Sequence, residues 1–205
     1  MAARHPDAAY RQDPVGTGSS AESGIADSRY RLDVVALGTA DVVRFAGGWL
    51  FDRVTAGWNV TVFVPEVSDP RPLQILGVGT GDLESALKTR RKREHPHAVA
   101  VESGLYNSDA RVRSGVHAAL GHHPTEVTLW GDPVPPELHS DVRLVQHRSG
   151  LAARAFKAQA LAAAGVATLD VAAAGNFCTG RLCRPRLQSD LLPAGRIPPA
   201  APPRS

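Results

Sequence analysis

Hydrophobic and polar positions alternate with two different periods along the first part of the chain. An apolar run at residues 33–37 meets Gly38, and a second apolar run occupies residues 59–64. Between these runs, apolar side chains recur at helical spacing from Asp41 to about Val54. This order of strand, turn, helix and strand predicts one βαβ unit, which is typical of an α/β domain.

The predicted helix of this unit has a defined start and an unusual interior. Thr39 is predicted to be the N-cap, and Asp41 lies in the first turn, where the helix dipole favours an acid. The glycines Gly47 and Gly48 each cost about 1 kcal/mol relative to alanine inside a helix. Such a pair either marks a break in the helix or lets another backbone approach closely, and we favour close packing. The expected apolar face consists of Val42, Phe45, Ala46, Trp49 and Leu50.

The alternation of strands and helices continues to residue 171. Further strands are predicted at 73–78, 97–102, 126–130, 142–146 and 167–171, and further helices at 83–93, 109–120 and 151–164. Residues 65–72 contain three prolines and are too few for a crossover helix, so the strand at 73–78 is predicted to be antiparallel to its predecessor or not its neighbour. We predict an α/β fold: a three-layer Rossmann-like sandwich with a mostly parallel sheet of about five to six strands, one of them irregular or antiparallel.

Changes in composition divide the chain into three segments. Residues 1–29 are small, polar and aperiodic, which predicts a disordered N-terminal segment. Residues 30–171 form the predicted Rossmann-like domain. Residues 172–205 lose periodicity and are rich in Pro and Arg, which predicts a disordered basic tail. The two cysteines, Cys178 and Cys183, fall in this tail and are interpreted as reduced thiols without a structural role, because their spacing is neither a disulfide framework nor a zinc knuckle.

The basic character of the chain, with a pI of about 9.2, comes mostly from this tail. Residues 171–205 hold five arginines and one acid, Asp190, so the first 170 residues carry 18 of the 23 basic and 19 of the 20 acidic side chains. A nearly neutral domain gives little support to nucleic-acid binding. Because there is neither an apolar stretch of membrane-spanning length nor the apolar core of a signal peptide, we predict a cytoplasmic protein with no membrane partner.

The residues from Gly77 to Gly81 give the strongest chemical hint. Gly77, Gly79, Thr80 and Gly81 follow a predicted strand and precede a predicted helix, an arrangement that presents backbone N–H groups to a phosphate. The spacing is neither G-x-G-x-x-G nor a P-loop, and glycine turns also occur wherever a strand reverses sharply. We therefore hold two interpretations, a phosphate cradle and a plain turn.

Polar residues after the other strands are predicted to lie on the same edge of the sheet. Gly38, Thr39 and Asp41 follow the first strand, Glu102 follows another, and Asp132 follows a third. In α/β sheets, ligands bind outside the carboxyl ends of the strands, so the three acids could converge there as a general base or a metal-binding cluster. The competing interpretation is that they are ordinary loop residues and helix caps.

A basic run ends the predicted helix at 83–93. Its five positive side chains are Lys88, Arg90, Arg91, Lys92 and Arg93. Cations at a helix C-terminus are favoured by the dipole and usually face solvent, but such a run can also contact nucleic acid or an acidic protein. No aromatic residue lies within the run, so stacking on single-stranded nucleic acid is not indicated.

Two functional hypotheses follow from these residues. The first is a cytoplasmic Rossmann-like domain that binds a small phosphorylated or nucleotide-like ligand at the carboxyl edge of its sheet. The alternative is a non-catalytic regulatory or interaction domain, because no reaction motif such as G-x-S-x-G is present. The pairs His95-x-His97 and His122-His123 lack a third ligand at metal-binding spacing, so no metal site is predicted. The pattern specifies no cofactor, catalytic residue or oligomeric state.

Overall fold

The protein is organised around one mixed β-sheet. A computed structural model describes residues 30–89, 95–121, 125–131, 133–167, 174–180 and 190–194. The described residues form eight strands in the order β3-β2-β1-β4-β5-β7-β6-β8. The strands are β1 (Arg31–Val35), β2 (Asn59–Val64), β3 (Gly79–Asp82), β4 (Ala98–Glu102), β5 (Glu126–Trp130), β6 (Val142–Arg148), β7 (Ala174–Gly180) and β8 (Leu192–Pro193).

Helices cover both faces of this sheet, which gives an α/β sandwich with two apolar cores. Helices α2, α3 and α7 contribute to one core, and helices α4, α5 and α6 contribute to the other. A π-helical segment, Val42–Ala46, joins α1 to α2, and a 3₁₀ turn, Pro136–Leu138, precedes β6. The helices are α1 (Thr39–Asp41), α2 (Gly47–Thr55), α3 (Arg71–Ile75), α4 (Leu83–Thr89), α5 (Ser103–Ser108), α6 (Ala110–Gly121) and α7 (Leu151–Ala163).

The sheet has a parallel part and an antiparallel part. Strands β3, β2, β1, β4 and β5 pair in parallel, as a doubly wound fold requires. Strand β7 pairs antiparallel with β5 and β6, and β8 pairs antiparallel with β6. The α/β prediction is therefore confirmed, whereas the expected five to six strands with a single irregular one are too few.

Two of the additional strands come from the predicted disordered tail. Strand β7 lies between β5 and β6, where Phe177, Cys178 and Thr179 are buried. Strand β8 forms the edge beside β6. The prediction of disorder is wrong for these two segments, because cross-strand pairing supplies the order that the local sequence does not indicate. Cys183, the N-terminal segment and most of the predicted strand at 167–171 lie outside the described residues, and the domain boundaries otherwise remain a prediction.

The connection from β2 to β3 also differs from the prediction. The apolar run predicted as a strand at 73–78 belongs to α3 and the turn after it, and β3 begins only at Gly79. Pro70 occupies the N-cap of α3 and Pro72 lies in its first turn, so the prolines begin a helix instead of preventing one. The crossover therefore has its helix, and β3 lies parallel to β2.

The first helical region contains the glycine pair at 47–48 and a π-helical segment that changes which side chains face the core. Gly38, not Thr39, is the N-cap of α1, and no side chain caps this helix end. The π-helical segment shifts the helical phase, which leaves Phe45 44% exposed although its spacing predicted burial. A Cβ at Gly48 would overlap the hydroxyl oxygen of Ser149, and a Cβ at Gly47 would lie 3.4 Å from Leu76, which follows α3, and 3.5 Å from Lys157 of α7. Close packing therefore occurs at the glycine pair, but side chains and not another backbone make it, and the pair also stands where the π-helical segment gives way to α2.

The described helices are short. The longest has 13 residues, and within the described ranges none combines the length and apolar character needed to cross a membrane.

Candidate functional site

The carboxyl ends of β1 and β4 lie side by side at the point where the chain changes direction. After β1 the chain passes to the face covered by α2, and after β4 it passes to the opposite face covered by α5 and α6. The two connections diverge here, and the ligands of open α/β sheets bind in the crevice at such a point. We call this place the β1–β4 crevice.

Glu102, the last residue of β4, bridges the β1–β4 crevice. Its Oε2 accepts a hydrogen bond of 2.6 Å from the backbone N–H of Leu37, which lies two residues after the end of β1. Among the described residues, Oε1 has no hydrogen-bond partner. A Cβ at Gly104 would lie only 3.3 Å from Oε1, so the glycine leaves room around this carboxylate. One oxygen of Glu102 is thus fixed in position and the other remains able to bind a ligand.

The electrostatic environment makes Glu102 a weaker acid than usual. Burial raises its pKa, the hydrogen bond from Leu37 partly offsets this effect, and the negative charge of Asp41 raises the pKa again. The result is a pKa above the ordinary value for glutamate. Carboxyls with raised pKa values are frequent among general acids and bases and among ligand contacts. Asp41 itself is exposed in α1.

Two buried polar atoms near this crevice have no hydrogen-bond partner in the part of the chain that the structure describes. Ser103 follows Glu102 and is 1% exposed, yet among the described residues its hydroxyl has no hydrogen-bond partner. Trp130 pairs in register with Glu102 on the neighbouring strand, and its indole N–H likewise lacks a partner. A buried donor without a partner is costly, so such atoms often mark a bound water or ligand. Neither residue was predicted from the sequence.

The glycines of the predicted cradle are divided between a turn and a strand. Gly77, with φ of +73°, lies in the turn between α3 and β3, which is at the amino edge of the sheet. Gly79, Thr80 and Gly81 are residues of β3, an edge strand paired with β2. Gly81 lies toward the carboxyl end of β3, but its backbone pairs in the sheet and does not form a loop, and β2 separates β3 from β1 and its Gly38–Thr39 turn. The phosphate interpretation of this motif loses its geometric basis.

Other predicted site residues have structural roles or cannot be placed. Asp82, which ends β3, accepts a hydrogen bond of 2.6 Å from the backbone N–H of Ser85 and caps α4, and this contact lowers its pKa. Lys88 is exposed in the last turn of α4. Arg90, Arg91, Lys92 and Arg93 lie outside the described residues, as does Asp132. Of the predicted ligand-binding residues, Gly38, Thr39 and Asp41 follow β1, and Glu102 ends the neighbouring strand β4.

Within the ranges that the structure describes, no three His, Cys, Asp or Glu side chains are grouped so as to hold a metal ion.

A second polar cluster lies against α2 and was not predicted. Arg53 is 3% exposed, and its Nη2 lies 2.8 Å from Asp190 Oδ1 and 3.8 Å from Glu126 Oε1. The Arg53 guanidinium also lies 4.3 Å from the ring centroid of Trp58, and His147 Nε2 lies 2.9 Å from an oxygen of Asp52. The one sequence signal was the position of Arg53, which falls four residues after a core tryptophan on the buried face of α2.

Known proteins provide only a general comparison. No protein family and no curated protein matches the chain. Among solved structures, the A40926 pseudoaglycone deacetylase Dbv21 is 17% identical, with a TM-score of 0.45 over 66% of this chain and 81% of its own. A deacetylase triple mutant of the teicoplanin biosynthetic pathway is 15% identical, with a TM-score of 0.42 over 65% of this chain and 80% of its own. At such identities and TM-scores the resemblance assigns no function.

Proposed function

We propose that this protein binds a small polar ligand at the carboxyl edge of its sheet, in the β1–β4 crevice, through the carboxylate of Glu102. The observation that carries this proposal is the position of that carboxylate. One of its oxygens is held by the backbone N–H of Leu37 at 2.6 Å, and the other faces no described hydrogen-bond donor. A ligand hydroxyl or amine would supply the missing donor and restore part of the solvation lost on burial.

The charge of the crevice favours some ligands over others. Asp41 and Glu102 are both acids, and the raised pKa of Glu102 reflects the negative charge of Asp41 as well as burial. A phosphate placed beside two carboxylates would be repelled. We therefore favour an uncharged or cationic ligand that carries hydroxyl or amino groups, such as a sugar, an amino sugar or a nucleoside. The phosphorylated ligand predicted from the glycines has less support.

A thermal-shift panel tests this proposal directly. The purified chain is heated with sugars, amino sugars and nucleosides, each compared with its phosphorylated counterpart at the same concentration. A ligand that binds the folded state raises the melting temperature according to its concentration relative to its Kd. We expect the unphosphorylated or amine-bearing member of a pair to give the larger increase. Equal melting temperatures across the whole panel would reject the proposal, and larger increases with phosphates would reject the preferred ligand class.

The Glu102→Gln variant shows whether the response comes from this site. Glutamine keeps an oxygen for the Leu37 N–H but removes the negative charge. We expect it to abolish most of the thermal response to amine-bearing ligands. The matched control is Asp141→Asn, which neutralises an exposed acid in the turn before β6 and should leave the response unchanged. An undiminished response in Glu102→Gln would place the ligand elsewhere.

A further inference from the structure

A partly open cavity lies on the face of the sheet that α4 and α6 cover, and none of the crevice residues described above lines it. The cavity has a volume of about 460 Å³ and lies between the sheet and helices α4 and α6. Its floor is formed by valines of three neighbouring strands, Val35 of β1, Val99 and Val101 of β4, and Val127 of β5. Its size falls within the range of small-molecule sites, which is about 300–1,000 Å³.

Small residues on the two helices create this space. Ala86 on α4 and Gly115, Ala118 and Ala119 on α6 all line the cavity. Larger apolar side chains at these positions would bring the helices and the sheet into continuous contact, as in a close-packed protein interior. Vacant apolar volume lowers stability in proportion to its size, so an occupant that fills it should stabilise the fold.

The polar lining residues are concentrated at one end. Arg31 and Asp33 belong to the first half of β1, His95 precedes β4, and Thr125 precedes β5, so all four lie toward the amino edge of the sheet. Arg31 Nε lies 3.4 Å from Asp33 Oδ1, so their charges offset each other. The rest of the lining is almost entirely apolar. This end therefore suits an uncharged polar group, and the remainder suits an apolar body.

We infer that this cavity binds a small, uncharged and mainly apolar molecule, whose polar end lies near Arg31 and Thr125 at the amino edge. The inference concerns a second site and does not depend on the β1–β4 crevice. The two sites are lined by different residues: the cavity lies on the sheet face covered by α4 and α6, whereas Glu102, Leu37 and Asp41 of the crevice are not among its lining residues. Their ligands also differ, because one site presents a carboxylate and the other presents valine and alanine side chains.

Binding is tested with the neutral fluorescent probe N-phenyl-1-naphthylamine on the full chain. Its fluorescence should rise on binding and saturate, and 1-decanol should displace it better than decanoate does, because the carboxylate must give up its hydration. Saturating 1-decanol should also raise the melting temperature. A cavity occupied by the chain's own residues would give no saturable fluorescence and no thermal shift, and that result would overturn the inference. If decanoate displaces the probe as well as 1-decanol does, the inference that the polar end of the ligand is uncharged is overturned.

Cavity-filling variants locate the bound probe. Ala119→Phe and Ala86→Phe enter the cavity from different helices, and each should lower probe affinity by about tenfold or more. The control is Ala110→Phe at an exposed position of α6, which should change affinity by less than about twofold. If circular dichroism shows that one filling variant does not fold, the probe affinity of the other variant and the melting-temperature shift with 1-decanol still test the inference. If a folded filling variant binds the probe as tightly as the wild type, the cavity is not the binding site. Glu102→Gln should not alter probe binding, because Glu102 does not line the cavity.

Discussion

Arg53 of α2 donates a hydrogen bond of 2.8 Å to Asp190, a residue 137 positions further along the chain. The other carboxylate oxygen of Asp190 accepts a hydrogen bond of the same length from the indole N–H of Trp49. One acid therefore accepts hydrogen bonds from two core residues of α2. This acid belongs to the segment whose composition predicted a disordered tail. This contact ties the end of the described chain to the first βαβ unit.

Removing this acid should destabilise the fold. Asp190→Ala leaves the guanidinium of Arg53, which is 3% exposed, without its nearest carboxylate, and leaves the Trp49 N–H without an acceptor. Losing one partner of a buried ion pair typically costs about 3–5 kcal/mol, and we expect the lower end because the Asp190 side chain is 27% exposed. Urea denaturation followed by circular dichroism measures the change.

Asp141→Ala is the control for this prediction, because Asp141 is an exposed acid in the turn before β6. It should shift the free energy of unfolding by no more than about 0.5 kcal/mol. Equal effects of the two substitutions would show that the Asp190 contacts contribute little to stability.

Truncation distinguishes the predicted domain boundary from the observed sheet. A chain that ends at residue 173 lacks β7 and β8, so it loses the buried residues Phe177, Cys178 and Leu191 and leaves β6 without a paired neighbour. We expect it to lose cooperative unfolding, whereas a chain that ends at residue 194 should unfold like the full chain. Cooperative unfolding of the shorter chain at the same urea midpoint would support the boundary at residue 171 instead.

Much of the fold was predictable because its parallel strands are regular apolar runs. The strands near 59–64, 97–102 and 126–130 fall within one residue of β2, β4 and β5, since strands buried on both faces are continuously hydrophobic. Strand β7 escaped prediction because its sequence, AGNFCTG, contains small and polar residues that are buried only by neighbouring strands. Strand β3, GTGD, resembles a loop because it is a mostly exposed edge strand.

The candidate site was predictable only in part. Glu102 could be selected because it ends a recognisable strand, and the rule that ligands bind at carboxyl strand ends then applies. Leu37 contributes through its backbone N–H, which no side-chain pattern reveals. Ser103 and Trp130 are distinguished by unsatisfied buried atoms, and satisfaction depends on tertiary packing. The glycines at 77–81 were misplaced because the sequence does not show where α3 ends and β3 begins.

Gly48→Ala should destabilise the protein by steric overlap. The added methyl group would overlap the hydroxyl oxygen of Ser149, which also lies 3.4 Å from His147 Nδ1. Overpacking of this kind costs about 1–3 kcal/mol, although alanine is the better helix former. Chemical denaturation of single and double variants measures the change.

Ser149→Gly should recover part of the stability that Gly48→Ala loses, and a double-mutant cycle gives the size of that coupling. Gly121→Ala is the matched control, since no atom lies within 4 Å of its would-be Cβ. It should be neutral or slightly stabilising. If the Gly121 and Gly48 substitutions have similar effects, helix propensity and not the Ser149 contact governs both.

Acidification should destabilise the fold through His147. Burial lowers the pKa of His147 below its ordinary value of 6.5, although Asp52 and Asp190 act in the opposite direction. The unfolded chain then binds the proton more tightly than the folded chain, so stability is full above pH 6.5 and falls as the pH drops below it. His147→Gln should remove this component of the pH dependence, which is measured as urea midpoints across a pH series.

Asp52→Asn should increase the loss of stability on acidification, whereas His147→Gln should decrease it. Without the carboxylate 2.9 Å from Nε2, the pKa of His147 falls further, so acidification should cost the variant more stability than it costs the wild type. Parallel pH profiles for the wild type and both variants would show that His147 does not titrate differently on folding.

Neutralising Glu102 should stabilise the protein while it weakens ligand binding. The pKa of Glu102 is raised above its ordinary 4.5, so its contribution to stability is full below pH 4.5 and is lost as the pH rises through the folded-state pKa. Glu102→Gln should therefore melt at a higher temperature than the wild type at pH 7, with an advantage that disappears below pH 4.5. If Glu102→Gln melts at a lower temperature than the wild type at pH 7, the charge of Glu102 is not unfavourable in the folded protein. Such a trade of stability against binding is common at functional sites.

The position of β7 between β5 and β6 also bears on how the chain is made. During synthesis, β1 to β5 leave the ribosome first and can pair in order, but β6 then has no partner until residues 174–180 emerge. The unpaired edge of β5 is meanwhile exposed to other nascent chains, which is a known route to aggregation. A pause in translation just before residue 174 should therefore reduce the soluble yield more than the same pause placed after residue 194.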